Sequence, residues 1–229
     1  MTLKEAIAAR HSVRAYQDKR IEAAAAEQLK AKIDECNQLG HLHIQLVENE
    51  PRAFQGRLAK YGKFSGVSNY LMMIGRKDAS LDERVGYYGE QIVLLAQTLG
   101  LNTCWVGLTY SKTSGAYELA DGERVVCCIA IGYGLTQGVA HKVKTAAQVS
   151  NVSEATPQWF LDGVEAALLA PTAINQQKFR FEHIAPKADE KPRVKAIRAF
   201  SLAGYTRIDL GIAKCHFEIG AGDCAFQWA

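Results

Sequence analysis

None of the six cysteines in this 229-residue chain is spaced as CxxC, so Cys36, Cys104, Cys127, Cys128, Cys215 and Cys224 offer neither a dithiol motif nor a zinc knuckle. They read as buried thiols in a reducing compartment, with the adjacent Cys127 and Cys128 pointing to opposite faces of one strand. A membrane signal is missing too. The longest apolar run, residues 125–131, falls far short of the about 20 residues that a span needs. The first ten residues carry Lys4 and Glu5 and no apolar leader core, so the expected compartment is the cytoplasm. Net charge is only +3 and is spread along the chain, which argues against nucleic acid and suits a small anionic ligand better than a polymer. No metal is expected: His41 and His43 share a strand face without a third ligand nearby. Ser-His-Asp and Cys-His signatures are absent, and a lone His216 on a helix reads as packed rather than catalytic. With 48% hydrophobic and 22% charged residues, what remains is an ordinary globular chain, long enough for one large domain or two small ones.

Hydrophobic periodicity predicts helices over residues 2–10, 22–39 and 81–99. The last of these opens on Ser80 and Glu83 as a capping box and closes on Gly100. Strands are expected at 43–47, 70–74, 103–106 and 125–133, where β-branched and aromatic residues concentrate. A glycine-containing loop at 134–138 and a polar stretch at 148–156 form the expected join between residues 1–150 and 151–229. Beyond it come a helix at 159–169, strands at 178–184 and 194–200, a helix at 205–219 and a last segment at 223–228. The order implies an α+β fold with a mixed sheet flanked by helices. Gly100 and Gly220, Cys104 and Cys224, and Ile92 and Ile212 share one sequence offset, which raises the expectation of an internal duplication.

Three segments carry chemistry. Residues 10–14 (Arg10, His11, Ser12, Val13, Arg14) put two guanidiniums on either side of a hydroxyl, the donors that a phosphate monoester takes. Taken alone, the cluster is better explained by Arg10 closing a helix C-terminus and Arg14 in solvent. Lys142 and Lys144 alternate on an extended segment, so both ammoniums could meet one anion, or both could simply be solvated. Pro171, Thr172, Ala173, Asn175 and Gln177 follow a helix and precede a strand; small residues admit a planar ligand and amides can pair with its edge, although an ordinary loop has the same composition. A decoy follows the strand at 125–133, where Gly132, Gly134 and Gly138 imitate a dinucleotide fingerprint. Their spacing is GxGxxxG and no second parallel strand follows, which argues against a Rossmann-type dehydrogenase.

Taken together these segments resemble the FMN-dependent nitroreductase family, in its branch where a single chain holds two nitroreductase-like halves. Arg10, Ser12 and Arg14 match its N-terminal Arg-x-Ser-x-Arg/Lys element; Gly100, Leu101, Trp105 and Gly107 match a Gly-Leu…Trp-x-Gly segment; Ala170, Pro171, Thr172, Asn175 and Gln177 match Ala-Pro-Ser-x-x-Asn-x-Gln. The resemblance implies that Arg10 and Ser12, completed by Lys142 and Lys144, hold the FMN phosphate, with His11 also among the cofactor-binding residues. Arg14 would approach the N1 and O2 edge of the ring and is the candidate for stabilising reduced flavin. Val106, Gly107 and Leu108 would lie near N5, with Pro171, Thr172, Ala173, Asn175 and Gln177 supplying the other wall.

The chain departs from the pattern in two ways. The Pro-Thr-x-x-Asn element comes after the lysines, and Lys178 and Phe179 replace the family's Pro-Trp. The resemblance thus implies that residues 1–150 and 151–229 complete one flavin site, with one FMN per chain and a monomer acting as a pseudo-dimer. The expected activity is an NADH- or NADPH-dependent reduction of a nitroaromatic, quinone or similar small acceptor through flavin N5, with ping-pong kinetics. The alternatives are a flavin-binding protein without turnover, in which the Lys178-Phe179 region closes the acceptor site, and a nitroreductase-fold enzyme with different flavin chemistry.

Overall fold

The structure is a computed structural model that describes residues 1–186 and 190–229. Helix α1 (Leu3–Ala9) opens with a capping box, in which Thr2 Oγ1 accepts the Glu5 N–H and the Glu5 carboxylate accepts the Thr2 N–H. There follow α2 (Ala23–Gly40), β1 (Gln45–Val47), α3 (Arg57–Tyr61), β2 (Tyr70–Arg76), α4 (Leu81–Thr98), β3 (Asn102–Val106) and β4 (Glu123–Gly132). The chain continues through α5 (Ala146–Val149), α6 (Gln158–Leu168), β5 (Phe179–Ile184), β6 (Arg193–Arg198), α7 (Thr206–Ala221) and β7 (Gln227–Trp228). The architecture is α+β, as expected, but its strands divide between two sheets. The larger has the order β1-β2-β4-β3 with every pair antiparallel. The smaller has the order β5-β6-β7, and its β6-β7 pair is parallel.

Period-two alternation explains why the larger sheet is covered on both faces. Leu71 and Met73 of β2 and Cys127, Ile129 and Ile131 of β4 join one core, while Tyr70, Met72, Cys128 and Ala130 join the other. The adjacent cysteines therefore do point apart, and all six thiols are free. The first core also contains Phe160, Phe181, Ile212 and Phe217, so residues on both sides of position 150 share one apolar interior.

Helices α4 and α7 carry the join between these parts. Their backbones approach so closely that a Cβ at Gly211 would stand 2.0 Å from the Glu83 carbonyl, and one at Gly86 2.1 Å from that of Ile208. Only glycine fits either point. No helix among the described residues is long and apolar enough to cross a membrane.

Local signals meet mixed outcomes. Past α4, Gly100 takes φ +76°, and the Leu101 and Gly100 amides bond back to Ala96 and Gln97, a Schellman closure. The capping box expected at Ser80 does not form. Asp78 takes both the amide and the hydroxyl of Ser80 and pairs with Arg84, so the serine turns away from the helix. The duplication offset does not align like with like either. Gly220 lies inside α7, which is capped by Gly222, and Cys224 precedes β7 whereas Cys104 lies within β3. Helices α3 and α5 span too few residues to show a helical period.

Candidate functional site

The basic N-terminal segment is placed by the edge of the larger sheet. After α1 the chain turns extended at Arg10 and runs parallel to β3, pairing Ser12 with Thr103, and the Val13 amide donates to the Thr103 carbonyl at 3.0 Å. Val13 enters the core. Arg14 remains exposed, its guanidinium 5.9 Å from the centre of the Phe64 ring. Two adjoining clefts open beside this segment and share Ser12, Arg14, Pro171, Thr172 and Ile174.

The first cleft, about 400 Å³, is mainly apolar. Trp105, Val106, Gly107 and Leu108 form one side, and Pro171, Thr172, Ala173 and Ile174 form another. Tyr205, Ile208, Asp209 and Ile212, at and after the start of α7, contribute a further part of the wall. Gly107 is needed here because the Tyr205 ring would stand 2.6 Å from a Cβ. Asp209 is the one carboxylate lining this cleft among the described residues. It is 3% exposed, and burial pushes its pKa up to about 6 although the Ala173 amide and the Gln176 side chain both donate to it.

The second cleft, about 540 Å³, is basic. It is lined by Arg10, His11, Ser12, Arg14, Lys63, Thr136, Gly138, His141 and Asn175, with no carboxylate among the described residues. Burial and the neighbouring Arg10 and His141 lower the pKa of His11, favouring the neutral imidazole. Arg10 caps α1 through its backbone, but its side chain turns inward, 2% exposed. Its Nε lies 3.7 Å from Glu90 Oε1 and has no hydrogen-bond partner among the described residues. A buried donor left without a hydrogen bond costs free energy.

Eleven of the fourteen residues expected at the site therefore line one cleft or the other: Arg10, His11, Ser12, Arg14, Val106, Gly107, Leu108, Pro171, Thr172, Ala173 and Asn175. Lys142, Lys144 and Gln177 do not. The Lys144 ammonium donates to the carbonyls of Gln176 (3.2 Å) and Gln177 (2.6 Å). The Lys142 carbonyl accepts from the side chains of Asn175 and Gln177, so this segment laces the 171–177 loop in place from outside. Lys178 is exposed and Phe179 is core, and neither lines the cleft they were expected to close.

The loop needs that lacing. Ile174, Asn175 and Gln177 all have φ between +46° and +55°, and Tyr205 and Lys63 have φ +60°. Left-handed backbone at non-glycine residues costs of order 1–3 kcal/mol each and gathers at functional sites. Sequence reasoning missed Lys63, His141, Tyr205 and Asp209. The one signal for Asp209 was a carboxylate among isoleucines and leucine at the buried start of α7. Thr136 and Gly138, set aside with the decoy motif, also line the basic cleft. Gly138 (φ +77°) lies so close to His11 that a Cβ would stand 2.7 Å from it.

Comparison with known proteins concerns the fold and the family. A "putative nitroreductase" from Thermotoga maritima is 23% identical over 95% of this chain and 82% of that chain, with a TM-score of 0.61. A "putative nitroreductase in complex with FMN" from Desulfovibrio desulfuricans is 16% identical over 69% of this chain and 99% of that one, at 0.53. The NfrA1 nitroreductase from B. subtilis is 12% identical over 68% and 74%, also at 0.53. No curated protein matches this chain. The model of the family described as "Putative TM nitroreductase" matches residues 2–221, and the chain belongs to that nitroreductase family.

Proposed function

We propose that this chain is an FMN-dependent NAD(P)H oxidoreductase that passes electrons to a small acceptor of the nitroaromatic or quinone kind. The observation that carries the reading is the buried Arg10 side chain, its Nε without a hydrogen-bond partner, at a basic cleft that has no carboxylate among the described residues and opens into an apolar one. A ligand with a phosphate at one end and a planar ring at the other fits that pair of clefts. Bound there, FMN supplies hydride transfer, for which no protein side chain is equipped.

The chain's own residues do the rest. Arg10, His11 and Ser12 hold the phosphate, and Lys63 and His141, on the same cleft, take the place expected of Lys142 and Lys144. Arg14, common to both clefts, places a permanent positive charge where the ring and the phosphate-bearing chain meet, which favours electron gain at the ring. Trp105, Val106, Ile208 and Ile212 exclude water around the ring. Residues 1–150 supply the phosphate and edge contacts, while 151–229 supply Pro171, Thr172, Tyr205 and Asp209. One such site among the described residues implies one FMN per monomer, acting in the cytoplasm.

The test is direct. The purified protein is checked for a yellow cofactor, which is identified by chromatography and counted by absorbance, and its bleaching by NADH and NADPH is followed. One FMN per chain, bleached by either nucleotide and recoloured by a quinone in a ping-pong pattern, is expected. Protein that binds no FMN and consumes no NAD(P)H overturns the reading. Arg14→Ala is expected to slow bleaching more than it weakens FMN binding; an unchanged bleaching rate with FMN bound removes that role.

A further inference from the structure

Behind the basic cleft, α4, α7 and the segment after α1 bring ionisable groups together without solvent. Glu90 of α4 and His216 of α7 have side chains 0% exposed, and that of Arg10, after α1, is 2% exposed. Glu90 Oε2 accepts the indole N–H of Trp105 in β3 at 2.8 Å. Glu90 Oε1 lies 2.9 Å from His216 Nε2 and 3.7 Å from Arg10 Nε. The other imidazole nitrogen, Nδ1, lies 3.1 Å from the Ala166 carbonyl of α6.

Proton counting fixes the charge of this group. A carbonyl oxygen only accepts, so His216 Nδ1 carries a hydrogen. The short contact between His216 Nε2 and Glu90 Oε1 then needs a second proton, whichever of the two atoms holds it. Imidazolium with carboxylate, or imidazole with carboxylic acid, is neutral as a pair. Glu90 is thus already balanced by His216, and the positive charge of Arg10, the third member, is left over. Burying an uncompensated charge is costly unless a partner arrives. The face that Arg10 lines has no carboxylate among the described residues and has Arg14 and Lys63 beside it.

We propose that His216 is a positioning residue which, by neutralising Glu90, keeps the buried Arg10 guanidinium uncompensated for the phosphate of a phosphorylated ligand. The proposal rests on the reading of the clefts as a flavin site. It assigns a task to two residues that touch neither cleft. In His216→Gln the glutamine has no charge to offer, so Glu90 turns its carboxylate charge on Arg10 and cancels it. In the double variant Glu90→Gln with His216→Gln that competing charge is gone and Arg10 is free again.

The full-length protein, stripped of bound flavin, is titrated with FMN and with riboflavin, which differ by the phosphate alone, following flavin fluorescence. Wild type is expected to prefer FMN. His216→Gln is expected to weaken FMN by about tenfold and leave riboflavin unchanged, and the double variant to recover most of that loss. A simple packing defect would weaken both ligands and would not be rescued. A wild type with no preference for FMN removes the flavin-site reading and this proposal together. A wild type that prefers FMN, with His216→Gln unchanged, equally weak for both ligands, or unrescued, overturns this proposal alone.

Nitrogen-15 NMR of His216 in wild type gives an independent readout if the variants do not fold. Protons on Nδ1 and between Nε2 and Glu90 are expected. A neutral imidazole beside an ionised Glu90 carboxylate overturns the proposal.

Discussion

Asp209 allows a prediction in which sign and size both follow from burial. Its carboxyl is 3% exposed and its pKa is pushed from 3.8 up to about 6, chiefly because burial disfavours the charged form. The two hydrogen bonds it accepts oppose that shift without cancelling it. Between about pH 4 and 6 the folded chain therefore holds a proton at this site that the unfolded chain has released. The contribution to stability is fully present below about pH 4 and is lost as pH rises through about 6. A shift of about two pKa units corresponds to about 3 kcal/mol. Asp209→Asn removes the titration. Urea unfolding of wild type and variant at pH 4, 5, 6 and 7 is expected to show the gap between them moving by about 3 kcal/mol in favour of the variant as pH rises. Other titrating groups contribute equally to both curves and drop out of the difference. A constant gap across this range would refute the argument from burial.

Four further substitutions test the geometry. Gly211→Ala drives a methyl into the Glu83 carbonyl and is expected to cost about 3 kcal/mol or more by chemical denaturation, because neither helix backbone can yield. Gly100→Ala, whose Cβ would meet nothing within 4 Å, is expected to cost only the left-handed backbone term of about 1–2 kcal/mol. Gly138→Ala pays a similar backbone term and also presses on His11, so its FMN affinity is expected to fall well below that of Gly100→Ala in the same titration. Lys144→Met removes the donor shared by the Gln176 and Gln177 carbonyls, and limited proteolysis is expected to cut faster within 171–177. Because Lys144 lies outside the basic cleft, the ratio of FMN to riboflavin affinity is expected to stay as in wild type.

What the sequence shows depends on how local the cause is. The strands β2 and β4 were legible because short apolar runs buried on both faces need no partner to be recognised. Gly100 was legible because a helix end demands a left-handed residue. The capping at Ser80 failed because Asp78, two residues earlier, competes for the same hydroxyl, and composition does not rank such competitors. The basic segment and the 171–177 loop were found as motifs, yet nothing local says that Lys144 spends its ammonium on carbonyls 32 residues away. Asp209, Lys63 and His141 acquire their place only when α7, the segment after α3 and the loop after β4 converge.

The parallel pairing of Ser12 with Thr103 has a consequence apart from ligand binding. In the order β1-β2-β4-β3, strand β3 is an outer strand carrying Cys104, Trp105 and Val106, and the N-terminal segment lies along its free side. Exposed apolar edges recruit strands from other molecules, and covering them is one way in which proteins stay dispersed. Residues 10–14 thus shield the strand that they equip. Trimming the N-terminus to abolish phosphate binding would also uncover a sticky border, so loss of binding in such a truncation would be entangled with self-association.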